Sequence, residues 1–250
     1  MKIKLIGKAL ELIRPKLEAF GITETDADDF DVIVTHGGDG ALLGAERNYP
    51  GVPKFPLRDA ATAELCPEHR LERRLDSFVG GGEAVTRLRK LSGSYGNTRL
   101  LALNDVFLRN SDPVSAVRYR VWIDGELYAG EVVGDGVGMA SVHGSSAYYR
   151  SITHSLFRVG IGLAFNNSTE EISHLVLAES SVVRIEVIRG PAILIADNSP
   201  ERINVPEHGV VEMRQSSECA EILGLAGFMC PRCRALRHPN KLPFSGFFPY

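Results

Sequence analysis

Apolar positions in the N-terminal part of the chain follow the pattern of a β-α-β unit. The stretch Lys2 to Gly7 is typical of a strand, and apolar residues then recur at helical spacing from Leu10 to Phe20. A second apolar run, Phe30 to Thr35, predicts a buried strand, and a helix-forming segment follows at Ala41 to Arg47. Because ligands bind at the carboxyl ends of strands in such units, the turn before Ala41 is the first candidate site.

The pattern changes to short strands after Ser92 to Asn97, a glycine- and serine-rich stretch that predicts a linker. Alternating apolar residues run from Val117 to Ile123, and Asp124-Gly125 then predicts a hairpin turn. Further short apolar runs follow, with one short helix expected after Gly144. This part of the chain therefore predicts an all-β, sandwich-like domain.

The change of pattern predicts three segments. Residues 1–97 are expected to form an α/β domain, residues 98–225 a β-rich domain, and residues 226–250 a tail that returns to the first domain. Within the first segment, Leu88 to Leu91 predicts a short helical remnant. The prolines of Val52 to Asp59 are expected to keep that segment out of a regular helix or a central strand.

Composition and charge exclude several classes of function. The chain has 250 residues, 44% of them hydrophobic, which is enough for a sizeable core. A formal net charge of −3 gives no electrostatic support for binding nucleic acid or an anionic membrane, and no apolar run approaches the roughly 20 residues of a membrane span. The first residues predict a strand and a helix rather than a signal peptide. Four cysteines indicate no disulfide framework, so we expect a reduced, cytoplasmic protein.

The turn between the second strand and its helix reads Gly37-Gly38-Asp39-Gly40. Glycines let backbone N–H groups approach an anion, and the helix N-terminus adds positive dipole, so the loop predicts a phosphate site. A carboxylate repels phosphate, and Asp39 could instead hold a metal or take a proton from an attacking hydroxyl. The alternative is a tight turn with Asp39 as a helix cap.

Polar residues also interrupt the predicted strands of the second domain. They are Asn104-Asp105, the Gly-Asp-Gly at 134–136, the Gly-Ser-Ser-Ala-Tyr at 144–148, and Asp197 after an apolar run. Buried polar groups need partners, and several such interruptions indicate a shared polar pocket. The small residues at 144–147 would let a ligand lie close to the backbone, and the ring of Tyr148 could contact a base or close the pocket wall.

The cysteines, two of them in the C-terminal tail, are a further candidate for chemistry. Cys230 and Cys233 form a single CxxC with His238 nearby, while Cys66 and Cys219 are isolated in the sequence. Zinc normally takes four ligands and no second CxxC exists. No metal site is therefore predicted, and the tail is expected to pack on the first domain.

Taken in order, these motifs resemble the NAD kinase family. The shared set is the GGDG loop, the Asn-Asp pair within a strand, the GDG followed closely by GSSAY, and the late aspartate, over roughly residues 30–47 and 99–215. The GGDG loop alone is also found in diacylglycerol and sphingosine kinases, whereas the ordered set is much more specific. The resemblance implies an α/β nucleotide-binding domain followed by a β-rich domain, with the C-terminus returning to the first.

The resemblance also implies an activity and a site. The activity is phosphoryl transfer from ATP, or polyphosphate in some members, to the 2′-hydroxyl of the adenosine ribose in NAD, with Mg²⁺ accompanying ATP. Asp39 resembles the base that orients or deprotonates this hydroxyl. The loop glycines resemble a phosphate cradle: Gly37, Gly38 and Gly40. The remaining matched positions resemble the NAD contacts: Asn104, Asp105, Asp135, Ser146, Ala147, Tyr148 and Ser151. We further expect a homodimer or homotetramer.

The chain departs from the family pattern at three places. The glycine-containing stretch ending in LGF is missing, and Val52 to Asp59 stands in its region. His143 occupies a position usually held by Thr or Ser, and Asn198 replaces the glycine after the late aspartate. We expect Val52 to Asp59 to replace the missing wall with Phe55 and Leu57, and Arg58 to pair with a phosphate, whereas the alternative is a surface loop with Arg58 in water.

Two other functions stay open from the sequence. The first is a lipid or other small-alcohol kinase of the wider GGDG superfamily, although the chain shows no exposed amphipathic membrane segment. The second is a non-catalytic nucleotide-binding homologue. The sequence also leaves open the choice of NAD, NADH or another acceptor, and of ATP or polyphosphate as donor.

Overall fold

The computed structural model describes residues 1–25, 27, 29–60 and 64–237. Its helices, in chain order, are α1 (Leu10–Ala19), α2 (Asp39–Asn48), α3 (Leu71–Val79), α4 (Tyr148–Thr153), α5 (Leu225–Phe228) and α6 (Pro231–Arg237). The strands up to the hairpin at Asp124 are β1 (Lys2–Gly7), β2 (Thr23–Glu24), β3 (Val32–His36), β4 (Lys54–Leu57), β5 (Val85–Tyr95), β6 (Thr98–Ala102), β7 (Asp105–Asn110) and β8 (Val117–Ile123). The later strands are β9 (Glu126–Gly134), β10 (Gly136–Ala140), β11 (Ile161–Asn166), β12 (His174–Leu177), β13 (Val182–Arg189), β14 (Ala192–Ala196), β15 (Ile203–Val205) and β16 (Val210–Leu223).

The chain divides into two compact units. The first unit contains residues 1–88 and, from the described C-terminal part, residues 220–237, and the second unit runs from Arg89 to Cys219. The predicted boundaries fall a few residues later, after residues 97 and 225, and stay a prediction. Residues 238–250 of the predicted tail, with His238, lie outside the described residues.

The first unit is an α/β layer built on parallel strands. Strands β2, β1, β3 and β4 pair in that order, all parallel, and β4 also pairs in parallel with β16 at Ile222. Every residue of β3 is buried, as expected for a strand covered on both faces. The core packs apolar residues of α1 and α3, such as Leu17 and Phe78, against the strands. The predicted β-α-β unit is therefore present.

The expectation for Val52 to Asp59 is wrong, because this segment does supply a buried strand inside the sheet. Strand β4 pairs with β3 from Lys54 to Leu57. The carbonyls of Pro53 and Leu57 accept hydrogen bonds from β3 and the following turn, both at 2.9 Å. Backbone polar groups of successive residues in a strand point to opposite neighbouring strands, so the nitrogen of Pro56 points away from β3. Its missing N–H therefore costs no hydrogen bond between β3 and β4.

The second unit is an all-β sandwich. One of its sheets contains β13 between β16 and β8, followed by β9, with antiparallel pairing throughout. The other is six-stranded, in the order β12, β11, β10, β7, β14 and β15. Fully buried side chains of both sheets, including Val121, Ile185 and Met139, form one core cluster. The predicted sandwich-like domain agrees with this arrangement.

Two local predictions near the start of the second unit are wrong. Leu88 to Leu91 is extended rather than helical and lies within β5. Ser92 to Asn97 is not a linker, because it completes β5 and turns into β6, with Leu91 paired to Ala102. Small residues are used here because space is scarce: a Cβ on Gly93 would lie 2.4 Å from a methyl of Val106.

Within residues 1–25, 27, 29–60 and 64–237, no helix has the length and apolar character needed to cross a membrane.

Candidate active site

The glycine loop of the first unit connects the end of β3 to the start of α2. Gly37 has φ +138°, a conformation that residues with a Cβ rarely adopt, and its N–H donates to the carbonyl of Leu57 at 2.9 Å. Gly38 precedes the helix in an extended conformation, and Asp39 and Gly40 are its first two residues. The loop is therefore fastened to β4 and presents the N-terminus of a ten-residue helix.

Asp39 is held by an ion pair rather than by a capping bond. Its Oδ1 accepts a hydrogen bond from Nη2 of Arg58 at 2.9 Å. The cap position belongs to Gly38 and no side chain caps the helix, so the alternative of Asp39 as a helix cap is wrong. The side chain of Asp39 is 51% exposed. A half-exposed carboxylate with one fixed oxygen can accept a proton from a bound hydroxyl.

Arg58 is buried against the C-terminal segment of the same unit. Its guanidinium lies over the ring of Phe228 at 3.7 Å, and Nε donates to the Phe228 carbonyl at 3.1 Å. Nη2 also approaches the sulfur of Met229 at 3.7 Å. With only 13% of its side chain exposed, Arg58 is not a surface residue in water, which removes that alternative. Its predicted pairing with a phosphate stays a prediction.

The apolar wall predicted from Phe55 and Leu57 is wrong. Both side chains are buried in the core of the first unit, at 0% and 2% exposure. Phe55 stacks on Phe78 with ring centroids 4.2 Å apart. Strand alternation places them on the packed face, so they support the sheet and do not face a ligand.

In the second unit, Asp197 holds the turn between β6 and β7. One of its carboxylate oxygens accepts the N–H of Leu103 at 2.8 Å, and the other accepts those of Asn104 and Asp105 at 2.8 and 3.1 Å. Its own N–H returns a bond to the Asp105 carbonyl at 2.9 Å. Sequence reasoning placed Asp197 in the polar pocket but missed this role, which fixes the backbone of both neighbouring candidate residues.

The segment after β10 lies against the same turn. Gly144 approaches it so closely that a Cβ would stand 2.0 Å from the carbonyl oxygen of Asn104. The hydroxyl of Ser141 accepts the N–H of Gly144 at 3.0 Å, and the N–H of Ser141 donates to the Asn104 carbonyl at 2.8 Å. The glycine that the motif supplies is therefore required by packing, and Ser146 and Ala147 follow in the turn that leads to α4.

Asp105 is the candidate residue with the most perturbed titration. Burial, and to a lesser degree the negative charge of Asp197, raises the pKa of Asp105 to about 7, against an opposing backbone hydrogen bond from Tyr148. The residue is 8% exposed. Near neutral pH this carboxyl therefore exists partly as the acid, which can donate a hydrogen bond to a ligand.

This shift makes the stability of the chain depend on pH. The folded state keeps the Asp105 proton up to about pH 7, whereas the unfolded chain loses it near pH 4. The stability that this proton gives is complete below the unfolded pKa and is lost as pH rises through the folded pKa. We expect the free energy of unfolding of wild type to fall relative to Asp105→Asn between about pH 4 and about pH 7, by on the order of a few kcal/mol, and to level off above that range.

Urea unfolding at a series of pH values measures this difference. Asp112→Asn, which changes an exposed carboxylate of the same unit, is the control and should follow wild type at every pH. A constant difference between wild type and Asp105→Asn would show that folding does not raise the pKa of Asp105.

The other predicted contacts of the second unit lie around Tyr148. Its hydroxyl accepts a hydrogen bond from the amide of Asn166 at 3.1 Å, and its ring lies 4.5 Å from that of Phe107. The adjacent Asn167 donates to the Asp135 carboxylate at 2.6 Å. Sequence reasoning missed both asparagines, although a polar pair directly after the apolar run of β11 was an available signal.

The structure thus gathers the predicted residues into two groups, one in each unit. The group in the first unit joins the loop glycines and Asp39 to Arg58. The group in the second unit joins Asn104 and Asp105 to Asp197 and to the start of α4 at Tyr148. Ser151 is more peripheral, because it is exposed and its hydroxyl donates to a carbonyl of its own helix at 2.7 Å.

No metal site was predicted because the CxxC supplies only two ligands and Cys66 is isolated in the sequence. That reason is wrong for the folded chain. Cys66 is not isolated in the fold, because its sulfur lies 3.1 Å from that of Cys233 and 3.9 Å from that of Cys230. Together with His69, these residues form a group of four whose ligand atoms all lie within 4.8 Å of one another. The CxxC therefore does have two further partners of the kind that zinc requires.

Comparison with known proteins gives a consistent result. No family model matches the chain. Over 127 residues it is 31% identical to an NAD kinase of Brucella melitensis biotype 1, covering 49% of each sequence, so the match spans about half the length of this relative. Among solved structures, an NAD kinase from Archaeoglobus fulgidus in complex with ATP superposes with a TM-score of 0.75 at 19% identity, covering 91% of this chain and 96% of that one. A yeast NADH kinase complexed with NADH superposes with a TM-score of 0.73 at 16% identity, covering 91% and 86%.

These comparisons confirm the predicted fold class and the resemblance to the NAD kinase family. The fold is that of the NAD kinase structures, with an α/β unit and an all-β unit. The residues singled out by the resemblance lie in the glycine loop, in the β6–β7 turn, between β9 and β10, directly after β14, and in the segment from Ser146 into α4.

Proposed function

We propose that this chain is an NAD kinase, which transfers the γ-phosphoryl group of ATP to the 2′-hydroxyl of the adenosine ribose in NAD and so forms NADP. The observation that carries the proposal is Asp39, a half-exposed carboxylate at the first turn of α2, oriented by Arg58 at 2.9 Å. The fold, shared with an NAD kinase complexed with ATP, supports the same reaction class. Phosphoryl transfer requires positioning and charge stabilisation, and both can come from such a loop.

In the proposed reaction, Asp39 acts as the base. It orients the 2′-hydroxyl and accepts its proton as the ribose oxygen forms a bond to the γ-phosphorus. The bond from this phosphorus to the bridging oxygen breaks at the same time, and ADP leaves. Arg58 fixes one carboxylate oxygen of Asp39, which keeps the other available to the hydroxyl.

The glycine loop is proposed to receive phosphate groups. Gly37, Gly38 and Gly40 bring no side chains of their own to the N-terminus of α2, and this helix end attracts anions. ATP is expected to enter with Mg²⁺, which neutralises phosphate charge. The use of Mg²⁺, a cytoplasmic location and a homo-oligomeric state stay predictions.

The turn held by Asp197 is proposed to bind the acceptor. Asn104 and Asp105 offer an amide and a partly protonated carboxyl, which together can donate to and accept from ribose hydroxyls. Asp135, Ser146 and Ala147 are assigned to the same dinucleotide. Tyr148, whose ring follows the turn, is proposed to contact the base.

A phosphoryl-transfer assay tests this proposal. Purified protein with ATP and Mg²⁺ is offered NAD, NADH and diacylglycerol in parallel, and each product is quantified by mass spectrometry. Formation of NADP supports the proposal. Transfer to NADH alone would change the acceptor, transfer to diacylglycerol alone would indicate a lipid kinase, and nucleotide binding without any transfer would indicate a non-catalytic homologue.

In addition to its ion pair with Asp39, Arg58 is proposed to contact a phosphate of the dinucleotide. Its Nη1 lies 3.9 Å from the position of a Cβ on Gly38, within the glycine loop. Arg58→Ala should weaken NAD binding by roughly 1.5–3 kcal/mol, the range for a hydrogen bond to a charged group, and should change adenosine binding little. Calorimetry with both ligands measures the difference.

Arg73→Ala, which removes an exposed arginine of the same unit, is the matched control and should bind both ligands as wild type does. Equal losses for NAD and adenosine would mean that Arg58 organises the site without touching phosphate. No loss for either would remove it from the binding site.

A further inference from the structure

Three sulfur atoms and one imidazole nitrogen meet in the first unit, apart from the glycine loop. The sulfur of Cys66 lies 2.9 Å from Nδ1 of His69, and that of Cys233 lies 3.5 Å from the same nitrogen. Cys66, Cys230 and Cys233 are buried, at 1–5% exposure. The same nitrogen of His69 faces two of the sulfurs, so all four groups point to one centre.

The chemistry of this set is that of a closed zinc site. We propose that the first unit binds one structural Zn²⁺ ion through four residues: Cys66, His69, Cys230 and Cys233. Three thiolates and an imidazole form one of the ligand sets that structural zinc uses, and no ligand position remains for a substrate. Soft sulfur ligands in a tetrahedral arrangement select zinc over magnesium or calcium.

The distances fit a tetrahedron after small movements. Zinc–sulfur and zinc–nitrogen bonds of about 2.3 and 2.0 Å place two sulfurs about 3.8 Å apart and a sulfur and a nitrogen about 3.5 Å apart. The observed 3.9 Å between Cys66 and Cys230 and 3.5 Å between Cys233 and His69 agree with these values. The remaining close contacts, 3.1 Å and 2.9 Å, need to lengthen by less than about 1 Å to admit the ion.

The local backbone has the form of two matched ligand turns. One is Cys66-Pro67-Glu68-His69 and the other is Cys230-Pro231-Arg232-Cys233, so each is Cys-Pro-x followed by a second ligand. Each proline begins a helical turn, which returns the second ligand to the side of the first.

Two interactions join these ligand turns to each other. The N–H of Cys66 donates to the sulfur of Cys233 at 3.3 Å, the type of bond that stabilises a metal-bound thiolate. Glu68 and Arg232, the third residues of the two turns, form an ion pair at 3.3 Å. The two segments are 164 residues apart in the sequence and still meet at their ligand atoms, so the arrangement is not a product of local helix geometry.

The location of the site gives the ion a role in the unit. Cys230 directly follows Phe228 and Met229, the residues that contact Arg58. An ion bound here would anchor the C-terminal segment to the loop containing Cys66, and through Phe228 it would hold the arginine that orients Asp39. The metal would therefore act by positioning and not in the transfer step.

Metal analysis of the full chain tests this proposal without any assay of activity. Wild type, purified with zinc in the medium and passed over a chelating resin, should retain one zinc per chain by elemental mass spectrometry. Cys219→Ser is the matched control, because Cys219 lies in the second unit, and it should retain the same amount. His69→Ala should lose the metal, whereas His69→Cys, which restores a fourth ligand, should keep it.

Measurements on wild type keep the test decisive even where a variant fails to fold. With zinc bound, native protein should show one maleimide-reactive thiol, Cys219, and a chelator should expose the other three. Cobalt(II) replacing zinc should give the thiolate charge-transfer absorption of a tetrahedral site. Folded, metal-free wild type with all thiols reactive would overturn the proposal. So would an intact mass two hydrogens lower that maps to a Cys66–Cys233 disulfide.

Discussion

Asp39→Asn is expected to abolish phosphoryl transfer while leaving the chain folded. Asparagine has the shape of aspartate and its carbonyl oxygen can still accept the bond from Arg58, so the loop should keep its geometry. The amide cannot accept the proton of the 2′-hydroxyl. Loss of a general base usually lowers kcat by about 10²–10⁴-fold, and loss of hydroxyl orientation adds to this.

The measurement is kcat with NAD, ATP and Mg²⁺, together with the urea midpoint of each protein. Asp76→Asn, the same chemical change at an exposed position of α3, is the control and should keep both values. Asp39→Asn should keep the free energy of unfolding, taken from the same urea curves, within a few tenths of a kcal/mol of wild type, as for surface changes generally. A near-normal kcat would show that Asp39 serves only as the ionic partner of Arg58.

The first unit shows which features of this fold are local enough to predict. The run Val32 to Thr35 is apolar, the next residues are glycines, and helix formers follow, so strand, loop and helix are each specified by adjacent residues. The same local reasoning did not predict strand β4, because prolines such as Pro53 and Pro56 disfavour strands in general. The cost of a proline depends on which side of the ladder its nitrogen faces, and that is decided by pairing with β3, about twenty residues earlier in the chain.

Composition misled the prediction at the start of the second unit for a related reason. Ser92 and Gly93 are typical of loops, but here they are buried strand residues, and a Cβ on Gly93 would lie 2.4 Å from a methyl of Val106. Gly93 has to be small because side chains from β7 and β14 leave no space for a larger residue. The sequence of β5 alone does not show that these side chains are close. Local propensity is a weak guide where packing between distant strands sets the size of a residue.

The functional residues also divide into those that the sequence alone identifies and those that only the fold brings together. Asn104 and Asp105 could be identified because polar residues interrupt an apolar strand. The pairing of Asp39 with Arg58 and the meeting of Cys66 with Cys233 could not, because the partners come from segments that only the fold brings together. For the proposed zinc site, the available sequence signal was the Cys-x-x-His at Cys66 and His69, which supplies the two ligands that the CxxC lacks.

Asp197→Ala is expected to destabilise the second unit and to remove most of its affinity for the dinucleotide. The carboxylate accepts three backbone N–H groups, from Leu103, Asn104 and Asp105, at 2.8–3.1 Å. Alanine leaves these donors without their acceptor in a largely buried turn. An unpaired buried donor costs about 1–3 kcal/mol, so we expect a loss of at least about 3 kcal/mol in the free energy of unfolding.

The binding defect follows from the same bonds. Asn104 and Asp105 are proposed to bind the dinucleotide, and their side chains are aimed by the backbone that Asp197 fixes. Misplacing such groups by about 1 Å can cost on the order of 10²-fold in function. Asp197→Asn should give an intermediate result, because its oxygen can serve the two residues that share Oδ1, while its NH₂ would face the N–H of Leu103.

Urea unfolding and calorimetry with NAD measure the two effects separately. Asp112→Ala, which removes an exposed carboxylate that accepts one N–H from Val114 at 3.1 Å, is the control and should lose no more than about 0.5 kcal/mol. Asp197→Asn should also lower the pKa of Asp105, because the neighbouring negative charge that helps to raise it is gone. If Asp197→Ala matched Asp112→Ala in both stability and NAD affinity, the β6–β7 turn would have to be held by packing against Gly144 and not by this carboxylate.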